Sequence, residues 1–296
     1  MQIGAIYPQT ELSGDPDAVR RLGTLFENLG YDHLLAFDHV LGAVHEDRNP
    51  PLAGPYDEND PFHDPFVLFS YLAARTERLK FVTGVLVLPQ RPTALVARQA
   101  ADLALLSGDR LTVGVGVGWN RVEYDVLGQD FRTRGARLEG QIELLRLLWT
   151  ERVVTFDGAF ESIDRAGSLP LPARPIPIWL GGFVDASFER GARLGEGFIY
   201  FGPIDEAVRQ WERTRGLLVK HNRPIDGFGV ERMTREPDVT NVVREVEQWA
   251  EQGGTHVAIG SLRLGLDSIA AHEDYFSAVA EALHANGHSL HGVSPA

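Results

Sequence analysis

The stretch LTVGVGVGWNRVEY, Leu111 to Tyr124, decides the fold. Apolar residues alternate in it as they do along a β-strand, yet Gly114, Gly116 and Gly118 take every second position. Glycine weakens a strand interior, so its repetition on one face marks the close approach of a ligand or of another backbone. A dinucleotide-binding turn, G-x-G-x-x-G, would place a pyrophosphate at a helix N-terminus. The spacing excludes it, because the third glycine position holds Trp119 counted from Gly114 and Arg121 counted from Gly116. An open doubly wound sheet thereby loses its main sequence cue.

Outward from this stretch, short apolar runs alternate with amphipathic helical patterns. The strand candidates are QIGAIYP, DHLLAF, KFVTGVLVL, LTVGVGVG, IPIWLGG, EGFIYF, GFGVERM and THVAIGS. Helices are expected at about 15–29, 65–76, 93–107, 133–149, 185–194, 205–220, 238–252 and 267–286. Eight strand–helix units predict an α/β fold, a (β/α)8 TIM barrel, in one domain over residues 1–296 with a loose tail from 287. Two segments break the rhythm. Residues 40–65 form a long, Pro-rich, acidic loop after the second strand, on the barrel face where active sites lie. VVTFDGAFESI, 153–163, predicts a β-hairpin around Asp157-Gly158 inserted before the fifth strand.

Composition excludes several functions. The net charge of −13 argues against nucleic-acid binding, and zero cysteines exclude disulfides, thiolate metal sites and cysteine nucleophiles. No run approaches the roughly 20 apolar residues of a membrane span. The start, MQIGAIYPQT, has neither a basic region nor an apolar leader, which predicts a cytoplasmic protein without membrane contact. Metal and hydrolase motifs are missing. His45, Asp57, Glu58, Asp60, His63 and Asp64 crowd the long loop without ligand spacing, so no metal is expected.

Four places can carry chemistry. Asp38 and His39, in FDH at the end of the second strand, pair a carboxylate with an imidazole able to donate or accept a proton near neutral pH. Thr83, Gly84 and Val85, in TGVLVLP, put a glycine inside the third strand, where it permits a bulge beside a ligand. Gly116, Gly118, Trp119 and Asn120 leave the fourth strand at its C-terminal end. Gly181 and Gly182, in WLGGF, precede a helix and expose backbone N–H groups to an anion.

Together, FDH, the block from Thr83 to Gly128 and RPIPIWLGG with the following RGARLGEGF resemble the luciferase-like flavin and deazaflavin oxidoreductases, most closely their F420-dependent branch. The resemblance runs through most of residues 1–202 and fades beyond about 203. It implies a barrel holding the flavin-like ring at its C-terminal mouth, in a hollow left by Gly114, Gly116 and Gly118. It also implies that His39 exchanges a proton beside Asp38, and that Thr83, Gly84 and Val85 line the ring face with a cis Gly84–Val85 peptide. Trp119, Asn120, Gly181 and Gly182 would surround the ribityl-phosphate. The cofactor would be F420 or, alternatively, FMN. Trp119 stands where some deazaflavin relatives carry a glutamate, which speaks against a sugar-phosphate substrate.

The expected function is hydride transfer between deazaflavin and an unsaturated or carbonyl small molecule. An FMN-dependent monooxygenase and a non-catalytic cofactor-binding protein are the alternatives. Deazaflavin is favoured by the match of the central block, by an Arg-rich composition in which only Lys80 and Lys220 are lysines, and by the small Val117 and Gly118, where flavin-binding relatives often carry a phosphate-clamping arginine. Arg121, Arg134 or Arg137 would supply local positive charge. A homodimer is expected by the same resemblance.

Overall fold

The computed structural model describes residues 1–12, 14–288 and 290. Eleven strands are present among them: β1 (Gln2–Ile6), β2 (His33–Ala36), β3 (Lys80–Thr83), β4 (Leu86–Val87), β5 (Leu111–Gly116), β6 (Val154–Asp157), β7 (Ser162–Ala166), β8 (Ile178–Gly181), β9 (Gly197–Phe201), β10 (Gly229–Thr234) and β11 (His256–Gly260). The helices are α1 (Pro16–Asn28), α2 (Pro65–Ala73), α3 (Thr93–Ser107), α4 (Arg121–Val126), α5 (Arg134–Thr150), α6 (Asp185–Leu194), α7 (Ile204–Lys220), α8 (Val239–Glu251) and α9 (Ile269–Ala285). Local chemistry sets many of the boundaries. Asp15 and Asp64 cap α1 and α2 ahead of Pro16 and Pro65 at the first helical position, and Gly108 ends α3 with φ +72°.

The parallel sheet runs β3-β2-β1-β11-β10-β9-β8-β5-β4, and β3 also pairs with β5, which closes it into the expected barrel. The third barrel strand is broken into β3 and β4. From Val82 to Leu86 it advances four residues while β5 advances three, from Thr112 to Val115, so one extra residue bulges out of the ladder. The hairpin also forms, as β6 paired with β7, with a four-residue turn in which the Gly158 N–H donates to the Glu161 carbonyl. α4 was not foreseen. The tail beyond 287 lies mostly outside the described residues, but two of its members are held: the His288 N–H donates to Leu283 O and Leu290 is buried.

Alternation along the strands builds two cores. Val113 and Val115 face outward and pack with the helices, alongside Ala5, Ile178 and Leu180. The barrel interior holds Ile6, Leu35, Val82, Ile199, Met233 and Ala258. At the N-terminal end of the barrel the filling turns polar. His33 meets Glu231 at 3.2 Å with both side chains buried, and the His256 ring packs edge-on against Trp179 at 4.8 Å between centroids.

Burial, together with nearby His33, Lys80 and the N-terminal amine, pushes the His256 imidazole down to about 3. Its folded value therefore lies below its unfolded one, near 6.5. The stability this neutral imidazole carries is complete above pH 6.5 and is lost as pH falls toward 3, a contribution on the order of 4 kcal/mol. Urea unfolding at pH 7.5, 6 and 5 should show wild-type stability declining more steeply than that of His256→Phe. Parallel declines would remove His256 from the acid response.

Candidate active site

The C-terminal mouth gathers most of the expected residues, with two corrections. The first concerns the glycines. A Cβ on Gly114 would lie 2.0 Å from the Thr83 carbonyl oxygen, one on Gly116 2.5 Å from Val85 Cγ2, and one on Gly118 2.6 Å from Val87 Cγ1. Protein, not a hollow, fills the space beside them. The bulge in the third barrel strand leans across β5, and only glycines leave room for it. Gly181 serves the same contact from the other side, since its Cβ would stand 2.7 Å from Val85 Cγ1. The Gly84–Val85 peptide is cis, as the resemblance implied. Thr83 is buried, its hydroxyl donating to Gly114 O at 2.7 Å.

The second correction concerns Asp38 and His39, which do not work on each other. The Asp38 carboxylate accepts from Arg91 Nη2 at 2.6 Å, from Arg91 Nε at 3.3 Å and from the Val87 N–H at 2.9 Å. Both residues lie past the end of β2 at Ala36, in irregular backbone that turns successive side chains toward different neighbours. Burial alone would depress the Arg91 guanidinium, but Asp38 and Asp64 more than offset that and hold it above its ordinary value.

His39 is paired instead with Glu123, on α4. Glu123 Oε1 lies 3.2 Å from His39 Nδ1 and also accepts from the Val40 and Leu41 N–H groups at 2.8 and 3.1 Å. Its side chain is 1% exposed and that of His39 10%. An oxygen receiving two backbone donors is an acceptor, so Nδ1 carries a hydrogen and Nε2 is left to react. Among the described residues no hydrogen bond reaches Nε2. The sequence did carry a signal for Glu123: Asn120-Arg121-Val122-Glu123 has the spacing of a helix cap with an acid at its third position. Asn120 indeed caps α4, accepting from the Val122 N–H at 3.0 Å, and its amide donates to Leu41 O.

The long loop folds back over this histidine. Tyr56, Phe62 and Trp119 set their rings 5.2, 4.9 and 5.6 Å from the His39 ring. Gln9 bonds Phe37 O and the His63 N–H, and Arg91 joins Asp38 to Asp64, so both ends of the loop are pinned to the barrel. Arg121 donates to the carbonyls of Pro50 and Pro51, and Arg263 to that of Pro55. Beyond the mouth, Gly182 has φ +150°, and a Cβ there would sit 2.6 Å from Ser187 Oγ in the first turn of α6. The first turn of α5 lies against α6, with a Gly135 Cβ 2.9 Å from Arg190 Nη2. In that turn Nε of Arg134 and Nε of Arg137 are buried without a protein partner. No three His, Cys, Asp or Glu among the described residues come together to hold a metal ion, and none of the described helices is long and apolar enough to cross a membrane.

The sequence matches the luciferase-like monooxygenase profile over residues 2–252. The chain belongs to that family. An uncharacterised protein of Mycobacterium tuberculosis is 35% identical over 233 residues, which span 73% of this chain and 81% of that one. An F420-dependent glucose-6-phosphate dehydrogenase of Nakamurella multipartita is 28% identical over 187 residues, covering 62% of this chain and 52% of the dehydrogenase. Among solved structures, an F420-dependent secondary alcohol dehydrogenase bound to an F420–acetone adduct superposes with a TM-score of 0.78 at 16% identity, over 95% of this chain and 98% of that one. That likeness is one of fold.

Proposed function

We propose that this chain is an F420-dependent oxidoreductase that passes hydride between the deazaflavin and an unsaturated or carbonyl substrate. One observation carries the reading: a histidine held at Nδ1 by a buried carboxylate, with no hydrogen bond to Nε2 among the described residues, follows β2 at the same end of the barrel as the cis Gly84–Val85 bulge after β3. The residues suit such a cofactor. Val85, whose methyl groups fill the space over Gly116 and Gly181, would meet the ring. Gly182 and the two unpartnered guanidinium Nε groups of Arg134 and Arg137 suit a phosphate.

When bound, reduced deazaflavin supplies the hydride and leaves with two electrons fewer. His39 supplies the accompanying proton from Nε2 to the carbon or oxygen partner of the reduced atom, and regains it from solvent. Glu123 holds the ring in place and stabilises its cation. In the reverse direction the neutral Nε2 takes the proton from the substrate.

Relatives named for F420 support the deazaflavin. So does the packing at Gly118, where an arginine would have to place its Cβ 2.6 Å from Val87 Cγ1. The buried Nε groups of Arg134 and Arg137 suit the phosphate of FMN as well as that of F420, which keeps a second reading, an FMN-dependent monooxygenase. Titration separates the two. F420 should bind with an affinity at least tenfold above that of FMN, a gap of about 1.4 kcal/mol. A yellow preparation that keeps FMN through dialysis and ignores F420 would overturn the first reading. Binding without any turnover would leave a carrier of the cofactor.

A further inference from the structure

We propose that the barrel carries a second binding site, at the end opposite His39, for a flat aromatic carboxylate. A cavity of about 820 Å³ opens there, between the C-terminal end of α5, residues 174–177 and the first residues of β8, β10 and β11. That volume lies within the roughly 300–1,000 Å³ of small-molecule sites. Three observations say what fits it.

The first is the wall. Ile176, Trp179 and Phe228 line the cavity with apolar side chains, and the His256 ring stands edge-on to the indole of Trp179, 4.8 Å away at 74°. A Cβ on Gly197 would lie 2.6 Å from Trp179 Cδ1 and one on Gly229 2.4 Å from its Cζ2, so backbone holds the indole in place. Flat apolar rings gain offset or edge-to-face contacts against such a wall beyond their buried area.

The second is a pair of polar atoms that the protein does not use. The other three buried tryptophans, Trp149, Trp211 and Trp249, donate their indole N–H groups to the carbonyls of Ala97, Gln252 and His256 at 3.0, 3.0 and 2.9 Å. Among the described residues no acceptor takes the N–H of Trp179, which is only 6% exposed. His256 meets Thr255 Oγ1 through Nδ1 at 2.7 Å, and among the described residues no hydrogen bond reaches its Nε2. A buried donor without a partner is costly, and an oxygen of a ligand in the cavity would satisfy it.

The third is the charge at the rim. Glu196 is the only acid among the described lining residues, and both its oxygens are engaged, Oε1 by Arg146 Nη2 and Oε2 by the Ile178 N–H at 2.9 Å. Arg146 reaches Leu194 O through that same nitrogen, which leaves Nε and Nη1 without a partner among the described residues. Arg174 also lines the cavity, with its side chain 80% exposed and its Nε 3.5 Å from Asp109 Oδ2. Two guanidinium groups thus face one engaged carboxylate, in a chain whose net charge is −13. A carboxylate suits them, because paired arginine N–H groups match its two oxygens.

The test uses the full chain without cofactor and two probes of one shape, naphthalene-2-carboxylate and naphthalene-2-methanol, in equilibrium dialysis. The carboxylate should bind saturably at one site per chain with a Kd below about 1 mM, and the alcohol about tenfold more weakly. Arg174→Gln should weaken the carboxylate about tenfold and the alcohol less than about twofold. Trp179→Phe should weaken both by about threefold, through loss of the N–H. Arg174 lies on the surface, so its variant keeps the test standing should Trp179→Phe fail to fold. Tyr56→Ala, at the other end of the barrel, should change neither affinity. Absence of saturable binding, equal affinity for the two probes, or an Arg174→Gln variant that binds like wild type would overturn the proposal. So would a loss in Tyr56→Ala, which would put the probe at the mouth, and an affinity that falls as protein concentration rises, which would mean that a second copy covers the cavity. His39, the cofactor and turnover enter none of these measurements, so the site stands or falls independently of the proposed function.

Discussion

His39→Ala should lower turnover by roughly 10²–10⁴-fold while leaving cofactor affinity within a factor of a few. The loss follows from removing an imidazole nitrogen at the mouth that no hydrogen bond among the described residues reaches. Glu123→Gln keeps the side-chain shape and removes its charge. It should lower turnover less than His39→Ala, because the neutral amide can still accept at the same place while the ring loses the charge that anchors it. The two substitutions act on one unit, so their effects should fall well short of adding. Asp38→Asn is the control. Its carboxylate serves Arg91 and Val87, so its effect on turnover should add to that of His39→Ala. Rate constants for the three single variants and the two double variants decide the matter. Additivity for His39 with Glu123, or strong coupling for His39 with Asp38, would restore the carboxylate next in sequence as the partner.

The barrel was legible because it depends on patterns the chain repeats. Eight apolar runs separated by amphipathic stretches leave few other architectures, and the alternation that puts the glycines on one face of β5 leaves Val113 and Val115 on the other, which packs on the helices. What failed to show in the sequence depends on contacts between distant residues. Adjacent positions such as Asp38 and His39 invite pairing on paper, yet the irregular backbone past β2 sends them to different neighbours, 53 and 84 residues away. Glu123 reads locally as part of a helix cap, and only the return of the loop at Val40 and Leu41 gives its carboxylate another role. The three glycines pointed rightly to close approach but not to what approaches. The extra residue of the third barrel strand becomes visible only in the register with β5.

Replacing Arg91 by methionine should cost about 3–5 kcal/mol of stability, the range for breaking a buried ion pair. Asp38 is fully buried at its side chain and Arg91 is 13% exposed, so solvent screens the pair little. Without the guanidinium, the Asp38 carboxylate keeps only the Val87 N–H, and Asp64 at the start of α2 loses its tie to the same centre. Burial already pushes the Asp38 carboxyl upward, and Arg91 is the main force opposing that. In the variant the folded chain therefore favours a protonated Asp38 while the unfolded chain ionises it. Stability is then lost as pH rises, so the deficit should be largest near pH 8 and shrink toward pH 5. Adding Asp38→Asn removes the stranded charge and should recover most of the loss at pH 8. Urea unfolding of the three proteins at both pH values measures each step. A deficit below about 1 kcal/mol would rank the pair with exposed ion pairs, which contribute little. A deficit unchanged by pH and by Asp38→Asn would mean that Arg91 acts through packing, and not as the counter-charge that holds the start and end of the long loop together.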